Sequence, residues 1–130
     1  TIEKNGLKET ANRLGKGIIA FSPLAQGLLT DRYLHGIPED SRIRTDGRFL
    51  KESTLTEEKL AQIRALNAIA AARGQTLAEM ALAWVLKDGQ VTSVLIGASR
   101  PEQILDDLKA LDNTAFTPDE LRAIDAASGF

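Results

Sequence analysis

The chain has 130 residues, of which 43% are hydrophobic and 26% are charged, a composition typical of a globular protein with one apolar core. Its formal net charge of −2 argues against a nucleic-acid-binding surface, which normally carries a marked basic excess. With no cysteine and one histidine, the sequence excludes a disulfide framework, a cysteine nucleophile and a credible metal site. The absence of cysteine fits a reducing cytoplasm, which is the location that we expect. No apolar run approaches the roughly 18 residues that cross a bilayer, and we expect no membrane partner.

The two ends of the sequence leave two interpretations open. The chain starts at Thr1 with a polar run that does not match a signal peptide, and it ends at Gly129 and Phe130. Both ends are consistent with cuts through a longer protein. A trimmed small domain is the alternative.

The first part of the chain predicts a helix, a strand and a long irregular segment. Residues 3–14 favour a short helix that ends at Gly15 and Gly17, and the apolar run over 17–21 is typical of a buried parallel strand. Pro23 breaks this strand because proline cannot continue a central ladder. Residues 27–53 are rich in Gly, Asp, Arg and Ser, and so long an irregular segment is usually functional or mobile.

A helix with one apolar stripe is predicted next. Thr56 is a suitable N-cap, the helix runs to about residue 73, and Gly74 follows its last turn. The stripe that we expect to face the core contains Leu60, Ile63, Leu66, Ile69 and Ala70.

The last part of the chain predicts a second strand between helices. Thr76 and Glu79 form a capping-box pattern before an apolar run that we expect to pack between two layers. Residues 91–96 predict a buried strand, and a helix with Pro101 in its first turn follows. Thr117 opens the last helix.

Buried strands that alternate with amphipathic helices predict an α/β fold with parallel strands. Two strands alone would leave apolar edges open, whereas parallel strands are normally covered on their faces and edges. We therefore expect residues 1–130 to form one arc of a larger closed sheet.

The unusual residues lie at the two junctions between a strand and the next helix, residues 21–30 and 96–103. Small residues there allow backbone N–H groups to approach an anion, and a helix N-terminus adds a partial positive charge. Neither junction has a GxGxxG or Walker sequence. Two interpretations remain open from the residues alone: a phosphate site, or two ordinary turns in which Ser99 caps its helix.

These segments resemble the aldo-keto reductase family. Residues 22–29 read SPLAQGLL and, with 32–34 and 36–38, look like the segment after barrel strand seven. Residues 92–100, with Glu102 and Gln103, look like strand eight and its helix. The resemblance covers essentially the whole chain and is closest to bacterial glyceraldehyde 3-phosphate and methylglyoxal reductases and to potassium-channel β subunits. It implies the carboxy-terminal part of a (β/α)8 TIM barrel.

Members of this family bind NADPH across the mouth of the barrel, and the resemblance implies contacts for this chain. Phe21 takes the place of the aromatic residue that stacks on the nicotinamide ring, or is simply the end of a core strand. Arg32 and Arg42 match basic positions on the loop that folds over the cofactor, or are solvated loop charges. Along the pyrophosphate the resemblance places Ser22, Pro23, Leu24 and Gln26.

The resemblance also assigns the adenosine end of the cofactor. Asp106 and Asp107 match the positions that hold the adenine amino group, with two solvated aspartates as the alternative. Because many relatives have arginine at the position of Gln103, the strength of the preference for NADP over NAD stays open. A helix N-terminus, a hydroxyl and a guanidinium suit a 2′-phosphate, and the residues implied there are Gly97, Ala98, Ser99, Arg100 and Gln103.

The catalytic groups of the family do not match this chain. They are a tyrosine that donates a proton to the substrate carbonyl and a lysine, an aspartate and a histidine that assist it, all on earlier strands. Tyr33 and His35 are the only tyrosine and histidine, and neither matches a catalytic position. The resemblance therefore implies an NADPH-dependent parent enzyme that reduces small aldehydes or ketones, with its catalytic residues outside this chain and the fragment inactive by itself.

Two other functions remain as alternatives. The parent protein is a redox-sensing NADP-binding module like the channel β subunits, or an unrelated (β/α)8 enzyme that uses these loops for a phosphorylated substrate. The expected partner is a small carbonyl substrate, with no nucleic acid and no membrane. If the chain exists alone, we expect its open sheet edges to be covered by self-association into a homo-oligomer.

Overall fold

A computed structural model describes residues 2–34 and 55–129. Within them, strands β1 (Ile19–Phe21) and β2 (Ser93–Leu95) alternate with helices, which confirms the predicted α/β pattern. The helices are α1 (Leu7–Arg13), α2 (Glu57–Ala72), α3 (Leu77–Leu86), α4 (Pro101–Leu108) and α5 (Pro118–Ser128). Three short 3₁₀ turns cover Ala25–Gly27, Asp31–Tyr33 and Lys109–Asp112.

The strands β1 and β2 pair in parallel, as predicted, but each is shorter than the predicted runs 17–21 and 91–96. The pairing continues before β1, where the carbonyl of Ile18 accepts from the N–H groups of Thr92 at 2.9 Å and Ser93 at 3.2 Å. A side chain at Gly17 would place its Cβ 3.0 Å from Thr92 Oγ1. A larger residue would crowd Thr92, so glycine suits the position where the two strands approach each other.

The two faces of this sheet differ. Ala20 and Val94 are paired on one face, and Val94 packs against a buried cluster formed by Leu82, Ala83 and Ala110. On the other face, the side chains remain largely exposed, at 64% for Ile19, 79% for Phe21 and 59% for Leu95. The prediction of buried strands is therefore wrong for this face, since no described element covers it.

Helix α3 lies between two apolar clusters, which confirms its predicted position. One side contributes Leu82 and Ala83 to the cluster under the sheet. Its other side joins the main core between α2, α3 and α5, which consists of Ile63, Leu66, Ala70, Leu77, Met80 and Ile124. The stripe predicted for α2 supplies three of these side chains.

The predicted N-caps are confirmed. Thr56 Oγ1 accepts from the N–H of Lys59 at 3.1 Å. Thr76 and Glu79 cap each other reciprocally, at 3.0 and 3.2 Å. Thr117 and Glu120 do the same before α5, at 2.7 and 3.2 Å. Each cap satisfies N–H groups that a helix leaves without an internal partner.

Two helices differ from their predictions. Helix α1 starts at Leu7, after Gly6 in a left-handed conformation, and not at residue 3. The apolar side chains of Leu7 and, just after the helix, Leu14 are exposed. Helix α4 has the predicted Pro101 in its first turn, but its apolar stripe is also exposed: Ile104, Leu105, Leu108 and, beyond the helix, Leu111.

The buried residue of α1 is a lysine, held in a cluster of charges. The side chain of Lys8 is 6% exposed and forms salt bridges with Glu3 at 3.0 Å and with Asp88, in the turn before β2. Lys87 also reaches Glu3 at 3.3 Å. Partial desolvation acts against the charged form of all three groups, yet their mutual contacts outweigh it. The pKa of Lys8 is therefore raised, and the pKa values of Glu3 and Asp88 are lowered.

Arg73 connects α2 to α5 and to the segment before it. Its guanidinium, on a side chain that is 2% exposed, pairs with Glu120 at 2.8 Å and lies 3.7 Å from the centre of the Phe116 ring. It also donates to the carbonyls of Asn113 at 3.3 Å and Ala115 at 3.0 Å. One cation therefore satisfies a carboxylate and two backbone acceptors at the same place.

None of the helices within residues 2–34 and 55–129 is long and apolar enough to cross a membrane.

Replacing Arg73 with alanine should destabilise the fold by about 2 kcal/mol, because the charge-assisted contacts of its guanidinium with Glu120 and two backbone carbonyls would be lost. The free energy of unfolding in urea, followed by circular dichroism, measures this change. Arg64 is exposed on the same helix, and R64A should change the free energy by less than about 0.5 kcal/mol. Equal effects of R73A and R64A would contradict the role of Arg73.

Acid should weaken the Lys8 cluster. Because folding lowers the pKa of Glu3 and Asp88 below their ordinary 4.5 and 3.8, their contribution is complete above those values and is lost as the pH falls through the folded-state pKa values. Lys8 behaves oppositely: its contribution is complete below its ordinary pKa of 10.5 and is lost as the pH rises through the higher folded-state value.

Urea unfolding between about pH 7 and about pH 2 tests the acid limb. The variant K8M should lose less stability over this range than the wild type, because the two carboxylates no longer gain from a buried ammonium. K16M, at an exposed lysine, serves as the control and should follow the wild type. Parallel curves for K8M and the wild type would show that the cluster does not contribute.

Candidate functional site

The sheet brings the two predicted segments to one edge. Phe21 and Leu95 are paired partners at the ends of β1 and β2, so residues 22–26 and 96–103 leave the same end of the sheet. In a parallel sheet this is the carboxyl edge, where ligands of α/β proteins bind. The structure therefore places the residues assigned to the two ends of one cofactor beside each other.

The segment after β1 has an unusual backbone. Three non-glycine residues have positive φ angles, 55° at Ser22, 47° at Ala25 and 61° at Gln26. Left-handed conformations cost non-glycine residues about 1 kcal/mol or more each, and such residues are concentrated at functional sites. Ala25 was not predicted as a site residue, because no glycine or asparagine there signals a left-handed turn.

Packing below this segment holds it in place. The side chain of Leu24 packs on the cluster formed by Leu82, Ala83 and Ala110, beside Ile96. Leu24 therefore anchors the segment from below, and its carbonyl accepts from the N–H groups of Gly27 at 2.9 Å and Leu29 at 3.2 Å. The side chain of Leu24 thus packs on the core and does not extend into the predicted site.

Tyr33 is part of the support and not of the exposed edge. It is 3% exposed, and its ring lies 3.8 Å from the position that a Cβ of Gly27 would take. Thr30 closes the same turn, since its hydroxyl donates to the carbonyl of Gly27 at 2.7 Å and accepts from the N–H of Arg32 at 3.2 Å. The burial of Tyr33 fits a packing role.

Phe21 is the most exposed large apolar side chain of the described residues, at 79%. It lies on the uncovered face of the sheet, directly before Ser22. In the part of the chain that the structure describes, it is therefore not a core residue, and its ring is accessible for stacking with another flat ring.

Gln103 occupies the N-terminus of α4. Its Oε1 accepts from the N–H of Ser99 at 2.8 Å, from the hydroxyl of Ser99 at 3.2 Å and from the N–H of Arg100 at 3.3 Å. The N-cap is Arg100, without a side-chain cap bond to the helix, so the alternative in which Ser99 caps the helix is wrong. A phosphate at this helix N-terminus would need the same N–H and hydroxyl donors of Ser99 and Arg100. The uncharged amide oxygen of Gln103 already accepts from them.

The two aspartates of α4 differ. Asp106 forms an exposed salt bridge with Lys109 at 2.7 Å, which fits the solvated alternative. Asp107 is half-buried, and burial, together with the negative charges of Asp106 and Glu79, raises its pKa.

The remaining predicted residues contribute less. Gly97 and Ala98 are exposed at the edge, and Pro23 and Arg32 are half-buried in the segment after β1. Arg42, like His35, lies outside the described residues. Over residues 2–34 and 55–129, no group of three His, Cys, Asp or Glu side chains has the arrangement of a metal site. The edge therefore presents the exposed ring of Phe21 and, at the N-terminus of α4, backbone N–H groups that are bonded to Gln103.

Comparison with known proteins gives a consistent result. The model of the aldo/keto reductase family matches residues 1–128. The chain is 53% identical over 127 residues to the L-glyceraldehyde 3-phosphate reductase of Escherichia coli (strain K12), covering 95% of this chain and 37% of that protein. It is 40% identical over 120 residues to a candidate voltage-gated potassium channel subunit beta of Schizosaccharomyces pombe, covering 89% of this chain and 35% of that protein.

A solved structure shares the fold. The glycerol dehydrogenase of Gluconobacter oxydans superposes with a TM-score of 0.72 at 28% identity, over 97% of this chain and 38% of that chain. The chain thus spans little more than a third of the length of the relatives that it matches. The match over nearly all of its residues establishes that this chain belongs to the aldo/keto reductase family.

Proposed function

We propose that this chain is the cofactor-binding part of an NADPH-dependent reductase of small aldehydes or ketones. The observation that carries the proposal is the pairing of Phe21 with Leu95. This pairing sets an exposed aromatic ring and the N-terminus of α4 at one carboxyl edge, as a dinucleotide with a ring at one end and a phosphate at the other requires.

The chain contributes, in this proposal, strands seven and eight and the flanking helices of a (β/α)8 barrel. The resemblance of residues 22–38 and 92–103 to the segments after those strands supports this placement. The exposed side chains of Ile19 and Leu95 and the exposed stripe of α4 agree with it, since a closed barrel covers both. Such a parent protein is expected in the cytoplasm.

The residues present fit the cofactor. Phe21 would stack on the nicotinamide, and the backbone of residues 22–26 would follow the pyrophosphate. Ser99 and Arg100 would hold the 2′-phosphate through a hydroxyl, N–H groups and a guanidinium, and Asp107 would face the adenine. The cofactor, when bound, supplies the hydride that reduces the carbonyl.

The proton for the carbonyl oxygen must come from outside this chain in the proposed reaction. Tyr33 is the only tyrosine and is buried as a packing residue. The 130-residue chain by itself should therefore bind the cofactor without turning over a substrate. If it exists alone, its uncovered sheet edges favour self-association.

A second function is supported by a different relative. The 40% identity to a candidate potassium channel subunit beta favours a protein that holds NADP mainly as a redox sensor or assembly module. Reduction of small aldehydes by the complete parent protein at useful rates would exclude this second function.

Arg100 should determine the preference for NADPH over NADH. Calorimetric titration of the chain with both cofactors measures it, and Trp84, the only tryptophan, reports binding by fluorescence. R100A should weaken NADPH about tenfold or more, the cost of one charge-assisted contact, and weaken NADH little. R64A is the matched control. No binding of either cofactor to the folded wild type would contradict the proposed function of the isolated chain.

Gln103 provides a second test, because its oxygen and a phosphate compete for the same donors. Q103E keeps an acceptor for the N–H groups of Ser99 and Arg100 and adds a negative charge beside the predicted 2′-phosphate. It should therefore weaken NADPH about tenfold or more and leave NADH nearly unchanged. Equal losses for the two cofactors would show that the 2′-phosphate does not bind at this helix.

A further inference from the structure

Asn5 and Gly6 form the one Asn-Gly pair of the sequence. Both precede α1, in a turn where Asn5 is exposed and Gly6 has a φ angle of 75°. Asparagine is a chemically labile residue, because the backbone nitrogen of the following residue can attack its side-chain amide. A following glycine has no Cβ to obstruct this attack, and it adopts a positive φ without strain.

A backbone donor is directed at the atom where negative charge would develop. The N–H of Leu7 donates to Asn5 Oδ1 at 3.1 Å, so the side-chain amide is folded back onto the turn. When a nucleophile adds to the amide carbon, the amide oxygen takes up negative charge, and an N–H about 3 Å away stabilises that charge. The turn thus supplies the electrophile, the nucleophile and the donor from consecutive residues.

Another pair of the described chain has the glycine without the reactive amide. Asp88 is followed by Gly89, which also has a positive φ of 68°. The carboxylate of Asp88 forms a salt bridge with Lys8 and accepts from the N–H of Gln90 at 3.0 Å. An ionised carboxylate resists attack by a nucleophile, so these contacts protect Asp88, whereas the amide of Asn5 stays reactive.

We propose that Asn5 is a site of spontaneous deamidation in the folded chain, with Gly6 as the nucleophile and Leu7 as the donor. Hydroxide removes the proton of the Gly6 N–H, and the nitrogen forms a bond to Asn5 Cγ. The bond from Cγ to the side-chain nitrogen breaks, and ammonia leaves. Water then opens the cyclic imide at either carbonyl, so the product is aspartate or isoaspartate and no oxidant or reductant takes part. This inference does not depend on the proposed function.

The modification adds a charge and, in isoaspartate, one atom to the main chain. The new carboxylate changes the formal net charge from −2 to −3. Asn5 lies between Glu3 and Lys8, whose salt bridge of 3.0 Å spans this turn. An additional main-chain atom inside the turn displaces Glu3 relative to Lys8, so isoaspartate at this position weakens the charge cluster around Lys8.

Incubation of the folded full chain in mildly alkaline buffer, followed by tryptic digestion and mass spectrometry, tests the proposal. Cleavage after lysine and arginine places each asparagine on its own peptide, and residues 5–8 form one of these peptides. This peptide should gain about 1 Da, because OH replaces NH2. The gain should be at least about tenfold faster than for the peptides that contain Asn12, Asn67 and Asn113.

Two variants locate the chemistry. N5Q should abolish the gain at residues 5–8, because glutamine must close a larger ring. G6A should slow it at least about tenfold by placing a Cβ beside the nucleophile. The nearest heavy atom to that Cβ is 4.0 Å away, so the alanine fits the turn. G15A, at another glycine with positive φ (63°), is the matched control for backbone strain and should leave the rate unchanged.

The chain unfolded in urea shows what the turn contributes. Because the Leu7 N–H is already directed at Asn5 Oδ1, the folded chain should react at least as fast as the unfolded chain. A folded-state rate of about a tenth of the unfolded rate or less would overturn the proposal. Equal gains on all asparagine-containing peptides, or an unchanged rate in G6A, would overturn it too.

The effect on the Lys8 cluster has its own control. N5D carries the added charge without the additional main-chain atom. The fraction that contains isoaspartate, purified after incubation, should therefore unfold at a lower urea concentration than N5D. Equal midpoints would overturn the inferred weakening of the cluster.

Discussion

The pairing of Phe21 with Leu95 joins two segments that are 74 positions apart in the chain, and the arrangement of the carboxyl edge depends on it. Three paired positions contribute few hydrogen bonds, so the helices must hold the strands in register. Val94 does this on the covered face, where it packs on Leu82 and Ala83 of α3. Because side chains alternate along a strand, the same register turns Phe21 and Leu95 to the opposite face.

The packing of the helices also compensates for the strained segment after β1. Three left-handed non-glycine residues within five positions would not persist in an isolated peptide. Leu24 anchors this segment to the cluster under the sheet, and Tyr33 closes its far side against Gly27. Packing of these two side chains offsets part of the backbone cost and holds residues 22–26 in place after the strand.

Local features of the fold could be predicted from the sequence, whereas distant contacts could not. The caps at Thr56, Thr76 and Thr117 need only a hydroxyl and, for the last two, a glutamate three residues later. The whole signal therefore lies within four consecutive residues. The contacts of Arg73 join residues about forty positions away, and no periodicity encodes them. The buried Lys8 escaped prediction for the same reason, since its partner Asp88 lies 80 positions further along.

The candidate site divides in the same way. The two segments were recognisable because strands that end in Ser-Pro and in Gly-Ala-Ser are unusual, and the parallel pairing then places them together. The predicted burial of the strands is too high on one face. Apolar residues indicate that a strand is stabilised by burial, but they do not indicate whether the described helices cover it. The bond from Ser99 to Gln103 was missed, although a side-chain acceptor four residues after a serine at a helix start was a readable signal.

The contact of Gln103 changes how affinity must arise at this edge. If the N–H groups of Ser99 and Arg100 were free, a phosphate would gain each hydrogen bond in full, but here it exchanges an amide oxygen for a phosphate oxygen. When both acceptors are uncharged, such an exchange changes the binding free energy little. The net gain in the proposed function must then come from charge, through the guanidinium of Arg100 and the dipole of α4. In the proposed function, a cofactor without the 2′-phosphate has no such charge at this position and leaves the hydrogen bonds of Gln103 intact. The preference for NADPH over NADH would then depend on the displacement of Gln103 as much as on the contacts of the phosphate.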